Sequence, residues 1–184
     1  HGGLVTAVTE LKDRRLVMIM DVEMVLAKTS GFGESEDLFT GIEDMGNMHI
    51  TILYADDSAV ARDQIIRTLD HMGIRHIGTT NGVQAWEKLL EITKQAENSG
   101  RKASDLIQAI LTDVEMPEMD GYVLTKKVKE HPGLSGIPVI MHSSLSADAN
   151  QALGKGMGAD AYVPKFEPTE LASKLKEFFY MGNS

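Results

Sequence analysis

The sequence predicts an α/β fold in which a five-stranded parallel sheet carries helices on both faces. From His49 onward, apolar runs of strand length alternate with amphipathic stretches of helix length. The loops between them are short, which is typical of parallel strands joined by right-handed crossovers. Five strands in this arrangement indicate the flavodoxin-like order 2-1-3-4-5, which places the first and third strands side by side.

Periodicity sets the bounds of each predicted element. The five strand-length runs are residues 50–55, 74–79, 107–112, 137–142 and 161–163. The four helix-length stretches are residues 59–72, 83–96, 122–131 and 169–180. Ser58 is a suitable N-cap for the first helix, and Gly73 is suited to end it, because glycine easily adopts the left-handed conformation at a helix C-terminus.

The chain has a different character before His49. In residues 1–28 two apolar stretches flank a charged turn, and the second predicts a strand at 16–22. Two strands alone are marginal in water, so this piece should belong to a larger β domain or pack against something else. Residues 29–48 alternate glycine with acidic residues and predict an acidic linker, in which Leu38 and Phe39 form either a docking spot or a loosely packed loop.

These boundaries leave residues 49–184 as the main domain. The chain begins without methionine, and we expect it to be a piece of a longer protein. Its net charge of −9 argues against a nucleic-acid partner. The absence of cysteine excludes disulfides and thiolate metal sites and fits an intracellular protein. No apolar stretch reaches the ~18 residues of a membrane span, so we expect no membrane insertion.

Acidic residues end two of the strands that this fold makes neighbours. Asp56 and Asp57 close the first strand, and Asp113 closes the third. Because the carboxyl ends of parallel strands meet at one sheet edge, these side chains should converge. Converging carboxylates repel one another unless a cation joins them, and oxygen ligands of this kind suit Mg²⁺. We predict direct ligation by Asp57, with Asp56 bound directly or through water.

Further polar residues follow the later strands and complete a phosphoryl-accepting layout. Asp113 is the candidate nucleophile, which requires it to be ionised and exposed. Lys165 should reach back to pair with Asp113 and then with its phosphate. Ser143 should donate a hydrogen bond to a phosphoryl oxygen, with Ser144 as its competitor. His142 could form a nucleophile pair with Ser143, but nothing orients it, and we interpret it as a histidine at the edge of the core.

Four motifs follow one another in residues 50–179. They are Asp56-Asp57, the run 113–121 (DVEMPEMDG), the run 138–143 (PVIMHS) and the run 158–165 (GADAYVPK). In this order they resemble a response-regulator receiver domain of the CheY type. The segment 16–27 is similar to the last strands of a CheW-type coupling domain, so that 1–28 would be its remnant. A CheW-like domain followed by a receiver is the architecture of CheV chemotaxis proteins.

The resemblance implies a CheY-like fold and a signalling module that is not a turnover enzyme. It implies phosphorylation of Asp113 by a CheA-type histidine kinase, with Mg²⁺ as cofactor and the backbone carbonyl of Glu115 as a further ligand. Tyr162 would act as a switch residue. Phosphorylation would change coupling to the kinase and to chemoreceptors, in the cytoplasm.

The chain departs from the simplest receiver pattern in several residues, and two of them, Phe166 and Glu115, keep an alternative open. Phe166 stands where receivers usually have proline with a cis peptide, so the Lys165–Phe166 peptide is either trans or strained. Glu115 and Leu145 occupy the positions where receivers tune phosphate lifetime. The alternative is a pseudo-receiver that binds other proteins without being phosphorylated. A phosphatase of the haloacid-dehalogenase type is disfavoured, because its nucleophile and second aspartate lie two residues apart on the first strand.

Overall fold

The structure, a computed structural model, describes residues 5–10, 16–20, 25, 36–144, 156 and 158–181. Its strands, numbered along the chain, are β1 (Val5–Glu10), β2 (Leu16–Met20), β3 (Thr51–Ala55), β4 (Arg75–Thr79), β5 (Ala109–Asp113), β6 (Val139–Ser143) and β7 (Ala161–Pro164). The helices described along their length are α1 (Ala59–His71), α2 (Gly82–Asn98), α3 (Gly121–Glu130) and α4 (Pro168–Met181).

The last five strands form one parallel sheet in the order β4-β3-β5-β6-β7. Counted within this sheet, the order is 2-1-3-4-5, so the predicted fold is confirmed. The adjacency of β3 and β5 is what brings Asp56 close to Asp113. The first two strands pair with each other in a separate antiparallel sheet. The strand predicted at 16–22 is present over Leu16–Met20, and residues 21 and 22 lie outside the described residues.

Apolar side chains cover both faces of the parallel sheet. On one face Ile52 and Leu111 pack with Ile65 of α1 and Leu175 of α4. On the other, the core joins β3 and β5 to α2 and α3, with residues that include Leu53, Ile110, Leu89 and Leu124. The strands β3, β5 and β6 are buried throughout, as expected of parallel strands covered on both sides.

Polar caps fix where the helices begin. Ser58, Asn81 and Asp120 each accept a hydrogen bond from a backbone N–H in the first turn of the helix that follows. These caps start α2 and α3 one residue earlier than periodicity predicts. None of the helices in the described part of the chain combines the length and hydropathy that a bilayer span requires.

A segment of the predicted acidic linker 29–48, residues 36–48, packs on the domain. We call it the strap. Phe39 is 4% exposed and stacks on His71 with ring centroids 4.7 Å apart. The guanidinium of Arg67 lies 4.5 Å from the centre of the same ring. Phe39 is therefore a buried anchor on α1, neither a docking spot nor a loose loop residue.

The rest of the strap is tied to the domain at several points. Met45 is buried in the core, and its N–H donates to the carbonyl of Met72 at 2.7 Å. Glu43 forms an ion pair with Lys176 of α4. Apolar residues recur at every third position of the strap, at Phe39, Ile42, Met45 and Met48. This spacing indicates a packed segment, but the acidic composition concealed it. The packed domain thus begins by residue 36, while residues 29–35 of the predicted linker lie outside the described residues.

Candidate functional site

The three predicted carboxylates meet at the carboxyl edge of the sheet. One carboxylate oxygen from each of Asp56, Asp57 and Asp113 lies within 4.8 Å of the others. Asp56 is fully buried, whereas Asp57, the next residue, is exposed. The pair therefore presents one carboxylate to the interior and one to the mouth of the site.

Local hydrogen bonds hold Asp56 at the end of β3. Its N–H donates to the carbonyl of Thr79, and its Oδ1 accepts the N–H of Ser58 at 2.9 Å. The second oxygen, Oδ2, lies 3.2 Å from Nζ of Lys165 and 4.0 Å from Nδ1 of His142. Asp56 thus links the strand end to the two basic side chains of later strands.

Lys165 is the counter-charge of the cluster. Its ammonium donates to Oδ2 of Asp113 at 3.0 Å and lies 3.2 Å from Oδ2 of Asp56. Its side chain is only 1% exposed, so all three charged groups are removed from water together. A single ammonium between two buried carboxylates leaves an excess of negative charge, which favours the arrival of a cation.

Burial perturbs the titration of two groups in this cluster. Burial raises the pKa of Asp56 to about 7. The Lys165 ammonium partly opposes this effect by lowering the pKa, whereas the Asp113 carboxylate raises it further. Burial, and next the nearby Lys165, lower the pKa of His142 to about 3. His142 is therefore neutral at physiological pH, and its 4.0 Å contact with Asp56 is not an ion pair. This agrees with its interpretation as a core-edge histidine.

The expectation that Asp113 is exposed is wrong. Its side chain is 5% exposed, because Lys165 covers Oδ2 while Oδ1 accepts the N–H of Glu115 at 3.3 Å. The start of α3 also packs closely against the backbone of Asp113. A Cβ at Gly121 would stand 2.1 Å from the carbonyl oxygen of Asp113, so only glycine fits there. The nucleophile candidate lies at the floor of the site, below the exposed Asp57.

The predicted hydroxyl and switch residues occupy the following strands. Ser143 ends β6 and is 2% exposed, with its carbonyl accepting the N–H of Lys165, whereas Ser144 is exposed. Strand order thus favours Ser143 as the site hydroxyl. Tyr162 is half-buried in β7 near Tyr122, whose pKa is raised by burial and next by the Tyr162 phenol. Leu145 lies outside the described residues.

The residue after Lys165, Phe166, has a left-handed backbone and no cis peptide. No described residue has a cis peptide bond, so the Lys165–Phe166 peptide is trans. Phe166 instead adopts a left-handed backbone, with φ of 65°, and its side chain is 6% exposed. That conformation is unfavourable for a residue with a Cβ, and burial of the ring offsets its cost.

Two neighbouring side chains were not predicted from the sequence. Arg62 of α1 donates from Nη1 to the carbonyls of Asp56 and Asp57, at 2.9 and 2.8 Å. Asn81 donates to Oε1 of Glu118 at 3.1 Å, which joins the loop before α2 to the loop after β5. Only the short spacing from Asp56 to Arg62 gave any sign of the first contact, and nothing local indicated the second.

The oxygen donors at this edge fit a divalent cation. Mg²⁺ is usually bound by one or two carboxylates and keeps several waters, and the three carboxylates at this partly open edge can supply that number of ligands. Glu115, whose backbone carbonyl the resemblance adds as a ligand, lies beside this cluster, since its N–H donates to Oδ1 of Asp113 at 3.3 Å.

Several known proteins with similar sequences are bacterial chemotaxis proteins. A family model for the response regulator receiver domain matches residues 52–176. Chemotaxis protein CheV1 of Helicobacter pylori is 31% identical over 176 residues, which cover 95% of this chain and 52% of that protein. Chemotaxis protein CheY1 of the same species is 32% identical over 127 residues, covering 68% of this chain and 93% of that protein. The chain thus spans about half the length of the CheV relatives it matches.

Solved structures with the same fold include other receivers. A response regulator described as putative in Chloroflexus aurantiacus is 26% identical, with a TM-score of 0.61 over 72% of this chain and 98% of that one. The receiver domain of a sensor histidine kinase from Pseudomonas aeruginosa is 23% identical, with a TM-score of 0.57 over 71% of this chain and 97% of that one. That domain has a magnesium ion coordinated in its active-site cleft.

Proposed function

The chain belongs to the response regulator receiver family as a receiver of the CheV type, and from that premise we propose that it accepts a phosphoryl group on Asp113. Members of this family are signalling modules and not turnover enzymes, as the sequence predicts. The proposal is carried by one observation: the Lys165 ammonium lies 3.0 Å from Asp113 where three carboxylates converge.

Each of these residues has a separate role in the transfer of the phosphoryl group. An oxygen of the Asp113 carboxylate attacks phosphorus, and the bond from phosphorus to the donor nitrogen breaks with its electron pair leaving on the donor. The product is an acyl phosphate. Lys165 is already paired with Asp113 and follows the charge onto the phosphoryl oxygens, and the Ser143 hydroxyl donates to one of them.

Asp56, Asp57, Asp113 and the Glu115 carbonyl would hold Mg²⁺. When bound, the ion neutralises charge on the phosphoryl group. Burial of Asp113 sets a condition on the transfer, because Lys165 has to uncover Oδ2 before phosphorus can approach that oxygen. The donor is expected to be small or flexible where it enters the site.

Mass spectrometry of the intact chain tests the proposal. Incubation with acetyl phosphate and Mg²⁺ should add the mass of one phosphoryl group, and Asp113→Asn should abolish the addition because the nucleophile is gone. Asp105→Asn is the matched control, since Asp105 caps a turn away from the site. An adduct that persists in Asp113→Asn would refute the assignment.

We also propose the partners and setting of this receiver. A CheA-type histidine kinase would be the donor, and phosphorylation would change coupling to that kinase and to chemoreceptors in the cytoplasm. Residues 1–28 would be the end of a CheW-like domain, which the antiparallel pair of β1 and β2 supports. The net charge of −9 supports the absence of a nucleic-acid partner.

A second candidate function is an interaction module that is never phosphorylated. The burial of Asp113 under Lys165 is the observation that favours it. Calorimetric titration with Mg²⁺ and then with beryllofluoride, a phosphoryl mimic, separates the two functions. Binding of both supports phosphoacceptance, and failure of beryllofluoride to bind supports the interaction module.

A further inference from the structure

We propose that Arg62 is a positioning residue that holds the Asp56–Asp57 loop in the shape that binds the metal ion. This inference rests on the proposed function and adds a residue to its machinery. Arg62 lies one turn into α1, and its Nη1 donates to the carbonyl oxygens of Asp56 at 2.9 Å and of Asp57 at 2.8 Å.

The two carbonyls lie where neither the sheet nor the helix supports the backbone. The pairing of β3 with β4 ends as the Asp56 N–H donates to Thr79. The helical hydrogen bonds begin with the Arg62 N–H, which donates to the carbonyl of Ser58. Asp56 and Asp57 fall between these two ladders, and one guanidinium nitrogen spans both of their carbonyls.

Fixing these carbonyls fixes where the carboxylates point. The peptide planes on the C-terminal side of Asp56 and of Asp57 set the position of the Asp57 Cα, from which the exposed carboxylate projects. Buried Asp56 has a second restraint in the N–H of Ser58. The effect of Arg62 should therefore fall mainly on Asp57, the ligand at the mouth of the site.

The charge of Arg62 and its proposed positioning role predict opposite changes in Mg²⁺ affinity when Arg62 is replaced. A guanidinium close to the acidic pair repels a divalent cation, so removal of its charge alone should tighten Mg²⁺ binding. Loss of a group that orients metal ligands typically weakens binding by about 10-fold or more. The sign of the change in affinity therefore identifies the role.

Calorimetric titration of the 184-residue chain with MgCl₂ makes the test. Arg62→Gln removes the charge, and Arg62→Lys keeps the charge but shortens the side chain. We expect both to weaken Mg²⁺ binding about 10-fold. Arg101→Gln is the matched control, because Arg101 also donates to a backbone carbonyl, that of Asp105 at 2.9 Å, away from the acidic edge. It should leave the affinity unchanged.

The outcomes separate this inference from the function it rests on. Wild-type affinity in Arg62→Gln, or tighter binding, would overturn the inference while the proposed function stands. Loss of folding in both Arg62 variants by circular dichroism would overturn it too, since Arg62 would then support the fold and not the acidic loop. A wild-type chain that binds no Mg²⁺ would remove the proposed function and the inference together.

Discussion

The two acidic segments of this chain use their carboxylates in opposite ways. In the strap, the acidic side chains Glu43 and Asp44 are exposed, and apolar residues such as Phe39 are buried beneath them. At the site, Asp56 and Asp113 are themselves buried, around the single ammonium of Lys165. The strap is therefore held by apolar burial, whereas the site keeps a charge imbalance inside the protein.

This difference shows what each segment can do. Exposed carboxylates keep their water, so they contribute little to stability and are free to vary. Buried carboxylates have lost their water, and they remain only if a counter-charge, a proton or a metal ion is present. The site is thus prepared to bind a cation at the expense of stability, and the strap contributes stability without chemistry.

Truncation of the strap anchor should have the largest effect. Phe39→Ala removes a buried ring from between Arg67 and His71, and we expect a loss of about 3–5 kcal/mol in the free energy of unfolding. Urea denaturation measures it. The matched control is Leu38→Ala, a half-exposed neighbour, which should cost about 1 kcal/mol or less. Equal losses in the two variants would mean that Phe39 does not anchor the segment and that the segment is a loosely packed linker.

Replacement of Asp56 should stabilise the protein in a pH-dependent way. The pKa of Asp56 is raised from 3.8 to about 7, so the folded state holds a proton that the unfolded state has lost, and stability falls as pH rises across this window. Asp56→Asn removes that loss and still accepts the N–H of Ser58. We expect a gain of roughly 2–4 kcal/mol at pH 7 without Mg²⁺, vanishing towards pH 4, from urea denaturation at each pH.

His142 should mask this effect in the wild-type chain. Its pKa is lowered from 6.5 to about 3, so the unfolded state binds a proton that the folded state does not, and stability is lost as pH falls below 6.5. The two contributions have opposite slopes and offset each other between about pH 4 and 6.5. His142→Leu should therefore show stability that falls with rising pH. A profile parallel to that of the wild type would contradict the burial of both groups.

The smallest effect is expected at the surface of the strap. Glu43→Gln breaks the ion pair between Glu43, which is 66% exposed, and Lys176, which is 37% exposed. We expect a loss of about 0.2–1 kcal/mol in the free energy of unfolding. The loss should shrink in 1 M salt, because salt screens exposed pairs. A loss as large as that of Phe39→Ala would mean that charge, and not apolar burial, holds the strap.

Residues at strand ends were predictable because the topology of a parallel sheet fixes their neighbours. Once β3 and β5 are adjacent, Asp56, Asp57 and Asp113 must share an edge, and Lys165 follows a later strand of the same sheet. The order of elements and the Ser58 cap were predictable for a different reason, since both depend on local sequence patterns.

The burial of individual site residues and the contacts between distant parts of the backbone were not predictable from the sequence. The burial of Asp113 depends on where Lys165 and the start of α3 come to rest, which spacing along the chain does not encode. The left-handed Phe166 depends on the pocket for its ring. Packing of the strap was indicated by an apolar spacing of three residues, but this was hidden by glycines and acidic residues that are typical of linkers.

The strap also places the N-terminal and C-terminal ends of the domain on the same side. Its first turn, Glu36–Phe39, lies against α4, the last helix, and Glu43 is bound to Lys176. A domain whose two ends are neighbours can be inserted as a cassette into a surface loop of a host protein, or circularly permuted through a short connection. Such a cassette has to include the strap and cannot start at residue 49, or it would lose the side chains that close one side of its core.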